Sequence, residues 1–212
     1  MKFDKNSLLL YAVTDRAWVG KQTLFEQVKD AIKGGITCLQ IREKNLDNEL
    51  FLQEAKKLKE LCHSNNIPFI VNDNVEIAVK CGADGIHIGQ EDTDAAEVRK
   101  IIGNDMFLGV SAQTPQQAVK AERDGADYLG VGAVFPTSTK KDAAEVPYDT
   151  LKEICSSVKI PTVAIGGITK NNIPMLSDSG ICGIAVISAI FAAEDIEKEC
   201  RELKEITKNS IN

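Results

Sequence analysis

The chain has 212 residues, 43% of them apolar and 26% charged, with 25 Lys+Arg against 31 Asp+Glu for a formal charge of −6. This length fits one large domain, residues 1–212, whose core needs no staples, and the composition excludes disorder as the main state. The acidic balance without a basic run argues against nucleic acid as a partner, and the apolar runs stop well short of the roughly 18 residues of a membrane span.

In chain order, the first apolar run is Leu8–Val13, followed by a helical pattern on Leu24, Phe25, Val28, Ala31 and Ile32. The run Thr37–Ile41 precedes a clearer amphipathic stretch with Leu50, Phe51, Ala55, Leu58, Leu61 and Cys62 on one face and lysines and glutamates on the other. Pro68–Val71, Gly85–Ile88, Phe107–Val110, Tyr128–Phe135, Pro161–Ile165 and Gly183–Ile187 continue the series. Helical spacing recurs between them at Val98, Ile101 and Ile102, at Ala118 and Ala121, at Leu151, Ile154 and Cys155, and at Ile173 and Leu176; a charged helix runs from Asp195 to Thr207. Short, nearly continuous Val/Ile/Leu runs are how strands read when a parallel sheet is covered on both faces.

A weak internal repeat has the same form. Cys81-Gly-Ala-Asp-Gly-Ile-His-Ile-Gly, Asp124-Gly-Ala-Asp-Tyr-Leu-Gly-Val-Gly and Ser179-Gly-Ile-Cys-Gly-Ile-Ala-Val-Ile each end a helix on glycine, turn, and enter a strand. Eight strand–helix units in 212 residues predict an α/β fold, a single (β/α)₈ TIM barrel with almost no insertion. An open doubly wound sheet calls for Gly-x-Gly-x-x-Gly after the first strand, and Thr14-Asp-Arg-Ala-Trp-Val-Gly20 is not that.

In such a barrel the chemistry sits at the C-terminal strand ends. These read Thr14-Asp-Arg16, Gln40-Ile-Arg-Glu-Lys44, Asn72-Asp73, Gly89-Gln-Glu-Asp92, Ser111-Ala-Gln-Thr114, Pro136-Thr-Ser-Thr-Lys-Lys141, Gly166-Gly167 and Ser188. Strand alternation puts Cys38, Gln40, Arg42 and Lys44 on one face, and the apolar Leu39 and Ile41 on the helix side leave that face pointing inward. Cations there need anions, from a substrate or from a carboxylate such as Asp15. Asp73 and Asp92 end neighbouring strands; two close carboxylates without histidine suit Mg²⁺, or they are simply solvated loop acids. Gly166-Gly167 and Ser188, each ahead of a helix, offer a second anion site. His87 reads as a packed core histidine and His63 as surface. No Ser or Cys has a plausible histidine partner in sequence, so covalent hydrolysis is not supported. The segment Lys140 to Pro147 has the length and position of a mobile lid. Six scattered cysteines without Cys-x-x-Cys, and no secretory h-region at Met1–Asn6, point to a reducing cytoplasm.

These residues resemble those of the thiamine phosphate synthase (thiamine-phosphate pyrophosphorylase) family. The matching segments are Ala12-Val-Thr-Asp15, Gln40–Lys44, Val71-Asn-Asp73, Gly85–Asp92, Gly109-Val-Ser111, Phe135–Lys140, Ile165–Thr169 and Val186-Ile-Ser188. The resemblance implies that hydroxymethylpyrimidine diphosphate loses pyrophosphate to the nitrogen of a thiazole phosphate, giving thiamine phosphate, in a dissociative, Mg²⁺-assisted substitution. It further implies Mg²⁺ on Asp73 and Asp92, and a pyrimidine diphosphate site of Gln40, Ile41, Arg42, Glu43, Lys44, Asn72, Ser111 and Lys140. Lys140, Arg42 and Lys44 are then catalytic, and the thiazole phosphate meets Thr137, Ser138, Thr139, Gly167, Ile187 and Ser188. Departures from the family pattern are Gln113 for histidine, Ala133 for proline, and Cys182 for the aspartate of the Gly-Ala-Asp turn. A thiazole tautomerase on the same barrel, or a non-catalytic phosphate-ligand sensor, is the alternative; Asp73, Asp92, Lys44 and Lys140 together favour the synthase.

Overall fold

The computed structural model describes residues 4–137 and 145–211. Eight strands alternate with helices: β1 (Leu10–Val13), β2 (Cys38–Ile41), β3 (Phe69–Asn72), β4 (Gly85–Ile88), β5 (Phe107–Ala112), β6 (Tyr128–Val131), β7 (Thr162–Ile165) and β8 (Gly183–Val186). They pair in chain order, all parallel, and β8 returns to β1, with Tyr11 opposite both Cys38 and Ala185. The result is the closed barrel expected from the spacing. Two apolar runs overshoot their strands by more than one residue. Leu8 belongs to a 3₁₀ turn, Lys5–Leu8, capped by Asp4. Beyond Val131 the chain still follows β7, but Val134 and Phe135 donate to the carbonyls of Ile165 and Gly166 as loop residues.

The helices are α1 (Leu24–Gly34), α2 (Asn48–His63), α3 (Val75–Cys81), α4 (Ala95–Ile102), α5 (Pro115–Arg123), α6 (Tyr148–Ser157), α7 (Ser188–Phe191) and α8 (Ile196–Ser210). Their starts follow from short polar residues that accept the free N–H groups of the first turn. Thr23 and Glu26 form a reciprocal capping box on α1, and Asp47, Asn74, Asp94, Thr114 and Asp195 cap α2, α3, α4, α5 and α8. The helix expected around Ile173 and Leu176 is only a 3₁₀ turn, with Pro174 in its first positions. No helix among the described residues is long and apolar enough to cross a membrane.

Strand alternation divides the apolar residues into two sets. Leu10, Ala12, Leu39, Ile41, Phe69, Val71, Ile86, Leu108 and Leu129 pack outward against the helices. Tyr11, Val13, Cys38, Ile70, Phe107, Tyr128, Val163 and Ala185 fill the barrel itself.

The Gly-Ala-Asp repeats explain how the N-terminal barrel end is tied. Asp84, at the entrance to β4, accepts the Phe69 N–H of β3 at 2.9 Å and pairs with His63 Nε2 at 2.8 Å. Asp127 does the same one repeat later, accepting Leu108 N–H at 2.8 Å and Arg99 Nη2 at 2.5 Å. Arg99 also donates to the carbonyls of Gly103, Met106 and Gly125. Where the third repeat has Cys182, burial pushes the thiol up to about 11 and no carboxylate is supplied. Asp127→Ala should therefore cost about 1–2 kcal/mol, since a strand N–H loses its acceptor and a half-buried guanidinium loses its carboxylate partner while keeping its carbonyl contacts. The expected fall in melting temperature is roughly 3–8 °C. An unchanged thermal melt would show that the carboxylate ties nothing.

Candidate active site

The C-terminal strand ends gather most of the described residues singled out from the sequence. On β2 the alternation holds: Cys38 lies in the inner set, Gln40 is 4% exposed, and Arg42 and Lys44 continue outward along the same face. The backbone N–H of Arg42 donates to the fully buried Thr14 Oγ1 at 3.0 Å, which anchors the strand end. Its guanidinium approaches Asp15 only loosely, Nη1 to Oδ2 at 3.7 Å, because Asp15 also caps the turn Arg16–Trp18. Both the acid-pairing and the substrate-facing readings of Arg42 are thus compatible with its position.

Lys44 Nζ donates to Asp73 Oδ2 at 2.8 Å. Asp73 follows β3 with φ 59°, a left-handed conformation that aspartate tolerates better than most residues, and its N–H donates to the His87 carbonyl at 2.8 Å. Asp92 is folded back towards β4 by accepting the Gly89 N–H at 2.7 Å. Partial burial first, and the neighbouring Asp73 carboxylate second, hold the Asp92 carboxyl above its ordinary range. Two hard oxygen donors with a cation beside them are thereby brought together.

Other residues fall elsewhere. Ile41 is fully buried against the helices, so its side chain faces away from the mouth. Glu43 shares that outward face: Arg16 Nε donates to its Oε2 at 2.7 Å, Arg16 also pairs with Glu54 of α2, and Glu43 Oε1 is buried without a hydrogen-bond partner. Desolvation raises the Glu54 carboxyl. Asn72 ends β3 in line with the inward Ile70. Thr137 is half-buried beyond β6, whereas Ser138, Thr139 and Lys140, and with them most of the expected lid, lie outside the described residues.

At the far side of the mouth Gly166 and Gly167 take φ 99° and 65°, which glycine allows without strain. A Cβ on Gly167 would also run into the carbonyls of Phe135 and Pro136, so β7 and the β6 loop meet through this residue. Asn172 Nδ2 donates to the Gly167 carbonyl at 2.9 Å. Ile187 follows β8, and Ser188 opens the four-residue α7, whose start has no side-chain cap.

The floor of the mouth holds an arrangement that sequence reading missed. Gln40 Nε2 donates to Tyr11 Oη at 2.7 Å, Tyr11 Oη lies 2.9 Å from Tyr128 Oη, and Tyr128 Oη lies 3.2 Å from His87 Nδ1. His87 Nε2 is 3.0 Å from Ser111 Oγ. Gln40 and Ser111, on β2 and β5, are thus joined across the barrel by three ring side chains. The available signal was the inward register of Tyr11 and Tyr128, which reads as packing until the opposite strands are known.

Among the described residues no group of three or more His, Cys, Asp or Glu side chains is placed to hold a metal. The pair Asp73–Asp92 still fits Mg²⁺, which takes one or two carboxylates and completes its shell with water and substrate phosphates.

A closed parallel β/α barrel with carboxylates, lysine and arginine around one mouth, and a polar floor beneath them, has the form of a barrel enzyme acting on phosphorylated small molecules. Residues 10–190 match the family described as thiamine monophosphate synthase. The thiamine-phosphate synthase of Clostridium tetani is 54% identical over 194 residues, 92% of this chain and 93% of that protein. That of Clostridioides difficile is 50% identical over 195 residues, 92% and 93% of the two chains. The structure of the thiamine phosphate pyrophosphorylase from Pyrococcus furiosus superposes with a TM-score of 0.90 at 38% identity, covering 98% of this chain and 99% of that one. The chain belongs to the thiamine monophosphate synthase family and is an enzyme of thiamine biosynthesis.

Proposed function

We propose that this enzyme joins hydroxymethylpyrimidine diphosphate to a thiazole phosphate, releasing pyrophosphate and forming thiamine phosphate. One observation carries the reading: the Lys44–Asp73 contact at 2.8 Å, with Asp92 beside it, stands at the same barrel end as the Gln40 and Ser111 floor. A diphosphate clamp and a seat for a polar heteroaromatic ring share one mouth.

Breaking the methylene C–O bond sends its electron pair to the departing pyrophosphate and leaves positive charge on the pyrimidine methylene. The thiazole nitrogen then supplies the pair for the new C–N bond. Arg42, Lys44, Asn72 and Lys140 hold the pyrophosphate, and the cations stabilise charge that grows as the bond lengthens. Mg²⁺, held by Asp73 and Asp92, would neutralise part of the same charge. The electron-rich aminopyrimidine spreads the positive charge, so no side chain needs to act as nucleophile or strong base. Thr137, Ser138 and Thr139 belong to the thiazole site, and Gly167, Ile187 and Ser188 to the site of its phosphate. The cysteines Cys38, Cys62, Cys81, Cys155, Cys182 and Cys200 are all free thiols, which supports a cytoplasmic setting.

The test is to follow thiamine phosphate and pyrophosphate together, with and without Mg²⁺. The two products should appear in equal amounts and only with the metal. Lys140→Ala should slow turnover by roughly 10²–10³-fold, the usual loss when a preorganised charge is removed from a transition state. Product formation without metal, or a Lys140→Ala rate near that of the wild type, would overturn the corresponding role.

A further inference from the structure

An amide and a hydroxyl each carry both a donor and an acceptor, so Gln40 and Ser111 could meet a ring in either sense. The barrel interior removes that freedom. Tyr11 and Tyr128 are each 1% exposed, and burial pushes both phenols well above their ordinary range, so each keeps one hydrogen to give. Tyr11 Oη receives a hydrogen from Gln40 Nε2. Its own hydrogen then goes to Tyr128 Oη at 2.9 Å, since the sulfur of the adjacent Cys38 is a weak acceptor. Tyr128, having accepted, donates to His87 Nδ1, and an imidazole that accepts at Nδ1 carries its proton on Nε2. Nε2–H donates to Ser111 Oγ. At one end the Gln40 amide oxygen is left to accept; at the other the Ser111 hydroxyl is left to donate.

We propose that Tyr11, Tyr128 and His87 are positioning residues, a directional hydrogen-bond relay that fixes Gln40 as an acceptor and Ser111 as a donor towards the substrate ring. Such a floor selects a ring that presents a hydrogen, such as that of an amino group, to Gln40 and an unprotonated ring nitrogen to Ser111. It rejects the oxo analogue, in which a carbonyl replaces the amino donor and the adjacent nitrogen carries hydrogen. The ring preference rests on the reading that Gln40 and Ser111 face the pyrimidine; the direction of the relay does not.

The chain has two histidines, His63 and His87, so ¹⁵N-histidine labelling of the whole protein yields two ring systems, assigned with His63→Gln. The expected result for substrate-free wild type at neutral pH is a protonated Nε2 and an unprotonated Nδ1 on His87. Tyr128→Phe, which keeps the ring and deletes the hydroxyl, should mix the two tautomers. A wild-type His87 protonated on Nδ1, or on both nitrogens, overturns the relay. In steady-state kinetics Tyr128→Phe should raise KM for the pyrimidine diphosphate roughly tenfold, the worth of about one neutral hydrogen bond, and leave KM for the thiazole phosphate unchanged. Discrimination against the oxo analogue should narrow in the same variant. Equal changes in both KM values with discrimination intact would mean that Tyr128 only packs. Wild-type protein that forms no thiamine phosphate overturns the activity and with it the ring preference, while the tautomer still decides the relay's direction.

Discussion

Asp92→Asn should lower turnover by roughly 10²–10³-fold while leaving the substrate-free protein at least as stable as the wild type at neutral pH. The two halves of this result have one cause. Partial burial and the Asp73 carboxylate disfavour the ionised form of Asp92, holding its carboxyl above the ordinary aspartate range. A carboxyl whose folded value is raised contributes stability that is full below its unfolded value and is lost as pH rises through the folded value. At neutral pH the wild type has lost that contribution, and asparagine has nothing to lose. The amide oxygen can still accept the Gly89 N–H, a bond of 2.7 Å in the wild type, so the loop should keep its fold. A site that keeps two like charges close despite this cost is organised for a cation or a charged substrate. Turnover as a function of Mg²⁺ and thermal melts on either side of the acid window check both halves. Turnover that survives, or a melt that drops at neutral pH, would show that Asp92 supports the fold and not the chemistry.

Gly109→Ala should cost about 1–3 kcal/mol and lower the melting temperature by roughly 3–10 °C. Gly109 lies on the inner face of β5, and a Cβ there would overlap the Tyr128 ring and come within 2.5 Å of His87 Nδ1. Gly130 on β6 is similarly close, its Cβ position 3.0 Å from His87 Cε1. Three ring side chains cross a barrel of this size because neighbouring strands present no side chain at those points. Activity should fall further than the melt alone explains, because the added methyl displaces the same hydroxyl and imidazole that hold Gln40 and Ser111. Temperature-controlled activity beside a thermal melt separates these effects. A variant that melts and turns over like the wild type would mean that the interior has slack.

The difference between what could and could not be read from the chain is one of range. Apolar runs at regular spacing determined the parallel barrel, because strands covered on both faces must be nearly continuous in Val, Ile and Leu. The same alternation put Gln40 inward and Leu39 and Ile41 outward without reference to any other strand. Glu43, which the family likeness puts at the substrate, follows the same alternation in the structure and pairs with Arg16 instead. The segments Gln40–Lys44, Asn72-Asp73 and Gly89–Asp92 carry the family likeness in local order, so their place at the mouth was legible too.

The contacts between distant segments were not. Lys44 with Asp73 joins residues 29 apart, and Tyr11 with Tyr128 joins residues 117 apart. Local pattern assigns a face to a side chain but not a partner, and hydrogen-bond direction depends on every member of a chain at once. His87 read as a packed histidine because nothing near it in sequence offers its ring a partner; the barrel brings Tyr128 from β6 and Ser111 from β5. The sequence by itself therefore determined the architecture and the face of β2 to which Gln40, Leu39 and Ile41 belong. Only the tertiary structure decided that Gln40 and Ser111 are joined by one chain of hydrogen-bonding rings, because barrel closure is what brings β1, β2, β4, β5 and β6 within hydrogen-bonding distance across a common interior.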